Sequence, residues 1–162
     1  MLEDALDQML AEQRLAPSAA ARARLMAGMK RLPARPDARE AFVTLARAGL
    51  RIIALSNGAS ASTWSLLEAA ALDRFVERVV SVEDVKLFKP IFEVYDHAAR
   101  VAKVRAKRLA LVAVHPWDIN GAKAAGLTTA YVSAERPFPG VMRSPDVKAP
   151  TLVAAARALV AL

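Results

Sequence analysis

Cysteine is absent from the 162 residues, which excludes disulfides, thiolate nucleophiles and cysteine-ligated metal centres. Histidine is scarce as well. His97 and His115 are the only two, too few for a three-histidine metal site. Aromatic residues make up 6% of the chain and do not interleave with the basic ones. The net charge of +7, from 23 Lys+Arg against 16 Asp+Glu, therefore reads as a solvated basic surface, and no nucleic-acid partner is expected. Long apolar runs are missing too. Stretches such as Leu109 to Val114 fall far short of the ~20 residues of a membrane span, so no membrane partner is expected. Glu3, Asp4 and Asp7 follow Met1 closely, where a secretory signal needs basic residues and then an apolar run. Cytoplasm is the default expectation.

What is present fits a globular domain with an ordinary core: 55% apolar residues and 24% charged. Leu2, Ala5, Leu6, Met9, Leu10 and Leu15 recur at helical spacing and predict a helix over 2–14. Ser18 is a candidate N-cap for a second helix that runs to about Lys30. Pro33 to Pro36 marks the best internal boundary, dividing 1–33 from 34–162. From there strand and helix signals alternate. Asp37 is expected to cap a helix closed by Gly49, and the apolar run 51–55 predicts a strand covered on both faces. Further strands are expected over 78–82, 109–114 and 128–132, and helices over 60–71, 91–102, 119–125 and 151–162. The stretch 134–150 reads as loop. Such alternation predicts an α/β fold, a Rossmann-like parallel sheet flanked by helices. In such sheets active residues sit just past the C-terminal ends of strands.

That rule selects three clusters. Ser56, Asn57 and Gly58 offer a hydroxyl, an amide and free backbone N–H groups to an anion, or form an ordinary strand-to-helix turn. Lys89, pinned before Pro90, either points an ammonium into a site or stands exposed, with Phe88 read as core. His115, Trp117 and Asp118 follow the clearest strand. His115 is a base, a donor or a turn residue, and Trp117 is a pocket wall or core. Asp118 either orients the lysine or caps the next helix. His97 sits mid-helix and reads as structural or solvent-facing.

The order of these clusters is more telling than any one of them. Leu55-Ser-Asn-Gly58, then Lys86-Leu-Phe-Lys-Pro90 with Val94-Tyr95 on the next helix, then His115-Pro-Trp-Asp-Ile-Asn-Gly-Ala122 resemble three of the four motifs of the haloacid dehalogenase-like hydrolases. The finer likeness is to the 2-haloacid dehalogenases. It implies a hydrolase core over 34–162, with 1–33 as part of a helical cap. It implies that Ser56 and Asn57, beside Gly58, bind the substrate carboxylate and the surroundings of the nucleophile. Lys89 counters negative charge there, and Tyr95 supports the site by hydrogen bonding. Trp117 lines the pocket beside His115, and Asp118 holds Lys89 and positions a water. It implies a small 2-haloacid-like substrate, no metal and no cofactor.

The chain departs from the family pattern in one large respect. The first motif, a strand carrying an aspartate nucleophile in a pattern like Asp-x-x-Gly-Thr, has no counterpart here. Ala113, Val114 and His115 stand where better-known members carry two serines and often an asparagine. The expectation is an N-terminally truncated, inactive hydrolase of this type. Two alternatives stand beside it: a non-catalytic chain that self-associates or binds a partner, with a homo-oligomer as one outcome, and a phosphatase of the same superfamily using magnesium.

Overall fold

The structure, a computed structural model, describes residues 2–29 and 31–162. It forms two compact units, one ending at Pro33 and one beginning at Ala34. The first contains α1 (Leu2–Glu12) and α2 (Ala19–Met29). Ser18 caps α2 as expected, its Oγ accepting from the Ala21 N–H at 3.3 Å. Asp7 and Arg22 form an ion pair between the helices. Of the apolar stripe anticipated on α1, Leu6 is buried while Met9 and Leu15 are exposed, and α2 buries no residue. The C-terminal limit expected at Lys30 lies outside the described residues.

The second unit runs α3 (Ala38–Arg47), β1 (Ile52–Ser56), α4 (Ser60–Ala69), β2 (Val76–Ser81), α5 (Phe92–Ala102), β3 (Ala110–Ala113), α6 (Pro116–Ala124), β4 (Thr128–Val132), β5 (Val147–Ala149) and α7 (Leu152–Val160). Every pairing is parallel. Helices cover both faces, and consecutive residues of β3 show why, since side chains alternate along a strand. Leu111 packs with Tyr95, Ala122 and Leu127 on the α5–α6 side. Val112 packs with Ala130, Val132 and Ala155 on the α7 side.

The strands do not form one sheet. β1 pairs with β2, and β3–β4–β5 form a separate sheet, so among the described residues β1 and β3 each keep one unpaired edge. The runs at 51–55 and 109–114, expected to be wholly covered, are only half-buried along β1 and partly exposed along β3, whereas β4 is buried from Thr129 to Val132. Solvent reaches both strands at an open edge, whereas β2, also paired on one side only, is buried at Val76 and from Val79 to Ser81 by the elements packed on it. Leu55 of β1 and Leu111 of β3 nonetheless pack against the same cluster around Tyr95, so both strands lie over one helical layer.

Three local expectations are corrected. Helix α6 begins at Pro116, earlier than its apolar residues indicate, because proline is preorganised for the first helical position. The segment read as loop contains β5, three residues long and too short to show a period. Asp37 does not cap α3 through its side chain. Its Oδ2 instead accepts from the Leu152 N–H at 2.6 Å, 115 positions away, at the first turn of α7. Asp37 thereby ties the start of α3 to the start of α7. Asp37→Ala is expected to lower unfolding free energy by about 1 kcal/mol, as loss of a cap does, with Asp37→Asn retaining most of it; urea titration reads both.

Candidate functional site

Three connections meet at the C-terminal ends of β1, β2 and β3. The one after β2 is the most elaborately held. Ser81 Oγ accepts from the Glu83 N–H at 3.1 Å, and the Asp84 carboxylate accepts from the Ser81 N–H at 3.1 Å, a reciprocal cap on a short 3₁₀ turn over Val82–Asp84. Lys86 then adopts φ +56°, which reverses the chain, and the Lys89–Pro90 peptide is cis. Asn57, from the connection after β1, clamps this loop from both ends of one residue. Its Oδ1 accepts from the Lys89 N–H at 2.9 Å and its Nδ2 donates to the Lys89 carbonyl at 3.4 Å.

From the clamped loop the lysine side chain reaches β1 and the first turn of α6. Lys89 Nζ donates to Asp118 Oδ2 at 2.7 Å and to the Leu55 carbonyl at 3.2 Å. An ammonium has three donors, and among the described residues these partners leave one for an incoming acceptor. Asp118 lies inside the first turn of α6, and His115 occupies the N-cap position. The reading of Asp118 as a helix cap is therefore corrected. Its second oxygen, Oδ1, accepts from Tyr95 Oη at 2.7 Å. The side chains of Lys89 and Asp118 are 10% and 5% exposed, which makes this a buried, hydrogen-bonded ion pair. Tyr95 is completely buried. Burial, and then its hydrogen bond to the Asp118 carboxylate, push its hydroxyl well above the usual tyrosine range.

The structure thus brings together Asn57, Lys89, Tyr95 and Asp118. Ser56 and Gly58 stand at the edge of this group. Ser56 Oγ accepts from the Gly58 N–H at 3.0 Å, and the Gly58 carbonyl accepts from Ser81 Oγ at 2.9 Å. His115 and Trp117 stack on each other, with ring centroids 5.4 Å apart and planes 12° from parallel, and both are exposed. Phe88, expected in the core, is 39% exposed, because the Lys86 turn leaves it on the outside of the loop. His97 is partly buried near Asp84 at 3.8 Å and makes no hydrogen bond to Lys89 or Asp118. An open cavity of about 300 Å³ is bordered by Val114, His115, Ser133, Glu135 and Arg136. Sequence reasoning misses the Leu55 carbonyl, since a backbone acceptor has no residue signature. It also misses the Ser81–Asp84 cap, although the Ser-x-x-Asp spacing is a recognisable signal.

Comparison with known proteins is decisive at the family level. Residues 2–126 match the family model described as haloacid dehalogenase-like hydrolase. The chain belongs to this family. It is 33% identical over 112 residues to the (S)-2-haloacid dehalogenase 4A of Burkholderia cepacia, an alignment covering 69% of this chain and 48% of that protein. An (S)-2-haloacid dehalogenase 1 of Pseudomonas sp. (strain CBS-3) is likewise 33% identical, over 110 residues. The chain thus spans about half the length of the curated relatives it matches. A solved L-2-haloacid dehalogenase superposes with TM-score 0.89 at 27% identity, covering 98% of this chain and 68% of its own. The Xanthobacter autotrophicus L-2-haloacid dehalogenase, solved with chloropropionic acid covalently bound, shares the fold with TM-score 0.87 at 24% identity, covering 96% of this chain and 73% of its own. Among the described residues no helix is long and apolar enough to cross a membrane, and no three His, Asp or Glu gather as a metal cluster.

Tyr95 gives the site a pH signature. Its ionisation is raised in the folded state above the unfolded value of about 10, so its contribution to stability is fully present below that pH and is lost as pH rises beyond it. Unfolding free energy, measured by urea titration between about pH 9 and 11, is expected to fall more steeply in the wild type than in Tyr95→Phe. At neutral pH, Tyr95→Phe is expected to cost about 1.5–3 kcal/mol through loss of a bond to a charged group.

Proposed function

We propose that this chain supplies the charge-handling part of a 2-haloacid dehalogenase-type site, acting around an aspartate nucleophile carried by polypeptide outside these 162 residues. The observation that supports it most is the buried Lys89–Asp118 pair at the strand ends. A structural ion pair here is a poor stabiliser, because desolvation offsets much of its attraction. An ammonium with one donor still free is, however, well suited to hold a second carboxylate close to the first. The shares of 48% of a curated relative and 68% of a solved one leave room for that further polypeptide.

In the reaction proposed, an aspartate oxygen attacks the halogen-bearing carbon of a short 2-haloacid. The carbon–halogen bond breaks and the halide leaves with the electron pair. Water then adds to the aspartyl ester carbonyl, releasing a 2-hydroxyacid and a proton and restoring the carboxylate. Neither step needs a metal or a redox cofactor. Lys89 stabilises the attacking carboxylate and the charge that develops on the ester oxygen. Asp118, fixed by Tyr95, holds Lys89 and directs the water. Ser56 faces the substrate carboxylate, and the stacked His115 and Trp117 wall the pocket. Asn57 acts through Lys89, because both ends of its amide are engaged by that residue's backbone. Residues 1–33 form part of a cap and 34–162 the core, and the complete enzyme works in the cytoplasm on small molecules.

A second reading rests on a separate observation, the unpaired edges of β1 and β3. Such edges recruit other strands, so the 162-residue chain by itself is a self-associating, non-catalytic product. The intact mass of the protein from its native locus separates the two. A mass above 17.4 kDa favours the enzyme, and halide release from 2-chloropropionate then follows. In that longer protein Lys89→Ala and Asp118→Ala are each expected to lower kcat/KM by at least about a hundredfold. Full activity in Lys89→Ala overturns the assignment. A mass of 17.4 kDa with stable oligomers and no turnover moves the second reading ahead.

A further inference from the structure

We propose that Gly121 is the positioning residue that sets the distance between Asp118 and Lys89. The proposal rests on the reading of that pair as the working centre of the site. Gly121 lies in α6, three residues after Asp118, and therefore on the same helix face. A Cβ at this position would sit 2.7 Å from Pro90 Cβ, 2.8 Å from the Pro90 carbonyl oxygen and 2.8 Å from Tyr95 Oη. Ordinary contact between carbons is about 3.5–4.0 Å, so no side chain fits without displacement.

None of the three neighbours can give way easily. Pro90 follows Lys89, whose backbone N–H and carbonyl are both held by Asn57. Tyr95 is wholly buried, and its hydroxyl is bonded to the Asp118 carboxylate and also, at 3.2 Å, to the Asp118 carbonyl. The helix must therefore yield, and it carries Asp118 with it. The need is for space, since no positive φ is found at this residue. Glycine is among the worst helix formers, which makes its place in the middle of α6 costly unless packing requires it. Gly140, by contrast, has nothing within 4 Å of a built Cβ.

The experiment compares Gly121→Ala with Gly140→Ala in the 162-residue chain. Each is given a short pulse of acetic anhydride, and acetylation at Lys89 is read by peptide mass spectrometry relative to the exposed Lys86. Gly121→Ala with a cooperative melt is expected to raise Lys89 labelling about tenfold, the effect of weakening its hold by ~1.4 kcal/mol. Gly140→Ala is expected to leave it unchanged. A folded Gly121→Ala in which Lys89 stays as protected as in the wild type overturns the proposal. If Gly121→Ala alone does not fold, Gly121→Ala/Tyr95→Phe carries the test, because loss of the hydroxyl frees space for the methyl. A cooperative melt with Lys89 labelled faster in the double variant than in Tyr95→Phe alone supports the proposal, and failure to fold, or labelling no faster than in Tyr95→Phe, overturns it. Where all variants fold, melting temperatures that add independently argue against contact, and coupled ones support it. The labelling does not depend on turnover, so a chain that never releases halide leaves this result intact, and unaltered labelling leaves the dehalogenase reading intact.

Discussion

The Lys89–Asp118 contact is the point through which the second unit is organised. At 2.7 Å and almost out of solvent, it joins the loop after β2 to the helix after β3, two elements that share no strand pairing. An ion pair in such a place survives only if further hydrogen bonds offset the cost of its desolvation. Tyr95 occupies the other carboxylate oxygen, and the Leu55 carbonyl takes a second ammonium proton. The surrounding structure exists to hold these four groups in register: the reciprocal cap at Ser81, the reversal at Lys86, the amide of Asn57 and the close approach at Gly121.

Much of this is legible in the sequence, for identifiable reasons. Almost wholly apolar runs at 51–55 and 109–114 announce parallel strands, and the clusters that follow them announce where chemistry would sit. Lys89, Tyr95 and Asp118 stand out through motif order. What stays hidden is of two kinds. Backbone partners such as the Leu55 carbonyl leave no trace in side-chain identity. Long-range use of a local signal is equally opaque: Asp37 has the look of a cap for its own helix and serves one 115 residues later. The partial exposure of β1 and β3 is invisible as well, since an apolar run tells of the partners a strand needs and not of those it has.

The division into two sheets gives the site its character. Strands that would normally compete for each other's hydrogen bonds stand apart over a common helical layer, with Leu55 and Leu111 packed on the same cluster. The lysine ammonium, carried on the loop after β2, reaches the Leu55 carbonyl near the end of β1. In a single closed sheet the first layer of polar contacts around a strand is spent on the ladder. Here one main-chain acceptor of β1, the Leu55 carbonyl, serves a charged side chain.

Asn57 precedes Gly58, the dipeptide in which a bare glycine amide most easily swings onto the neighbouring side-chain carbonyl, expels ammonia and ages the asparagine into an acid. Neither group is at liberty to do so. The Gly58 N–H is engaged by Ser56 Oγ, and the Asn57 amide is fastened at both ends to Lys89. The arrangement that aims the lysine therefore also serves as chemical preservation, keeping a neutral amide neutral where its Nδ2 donates to the Lys89 carbonyl.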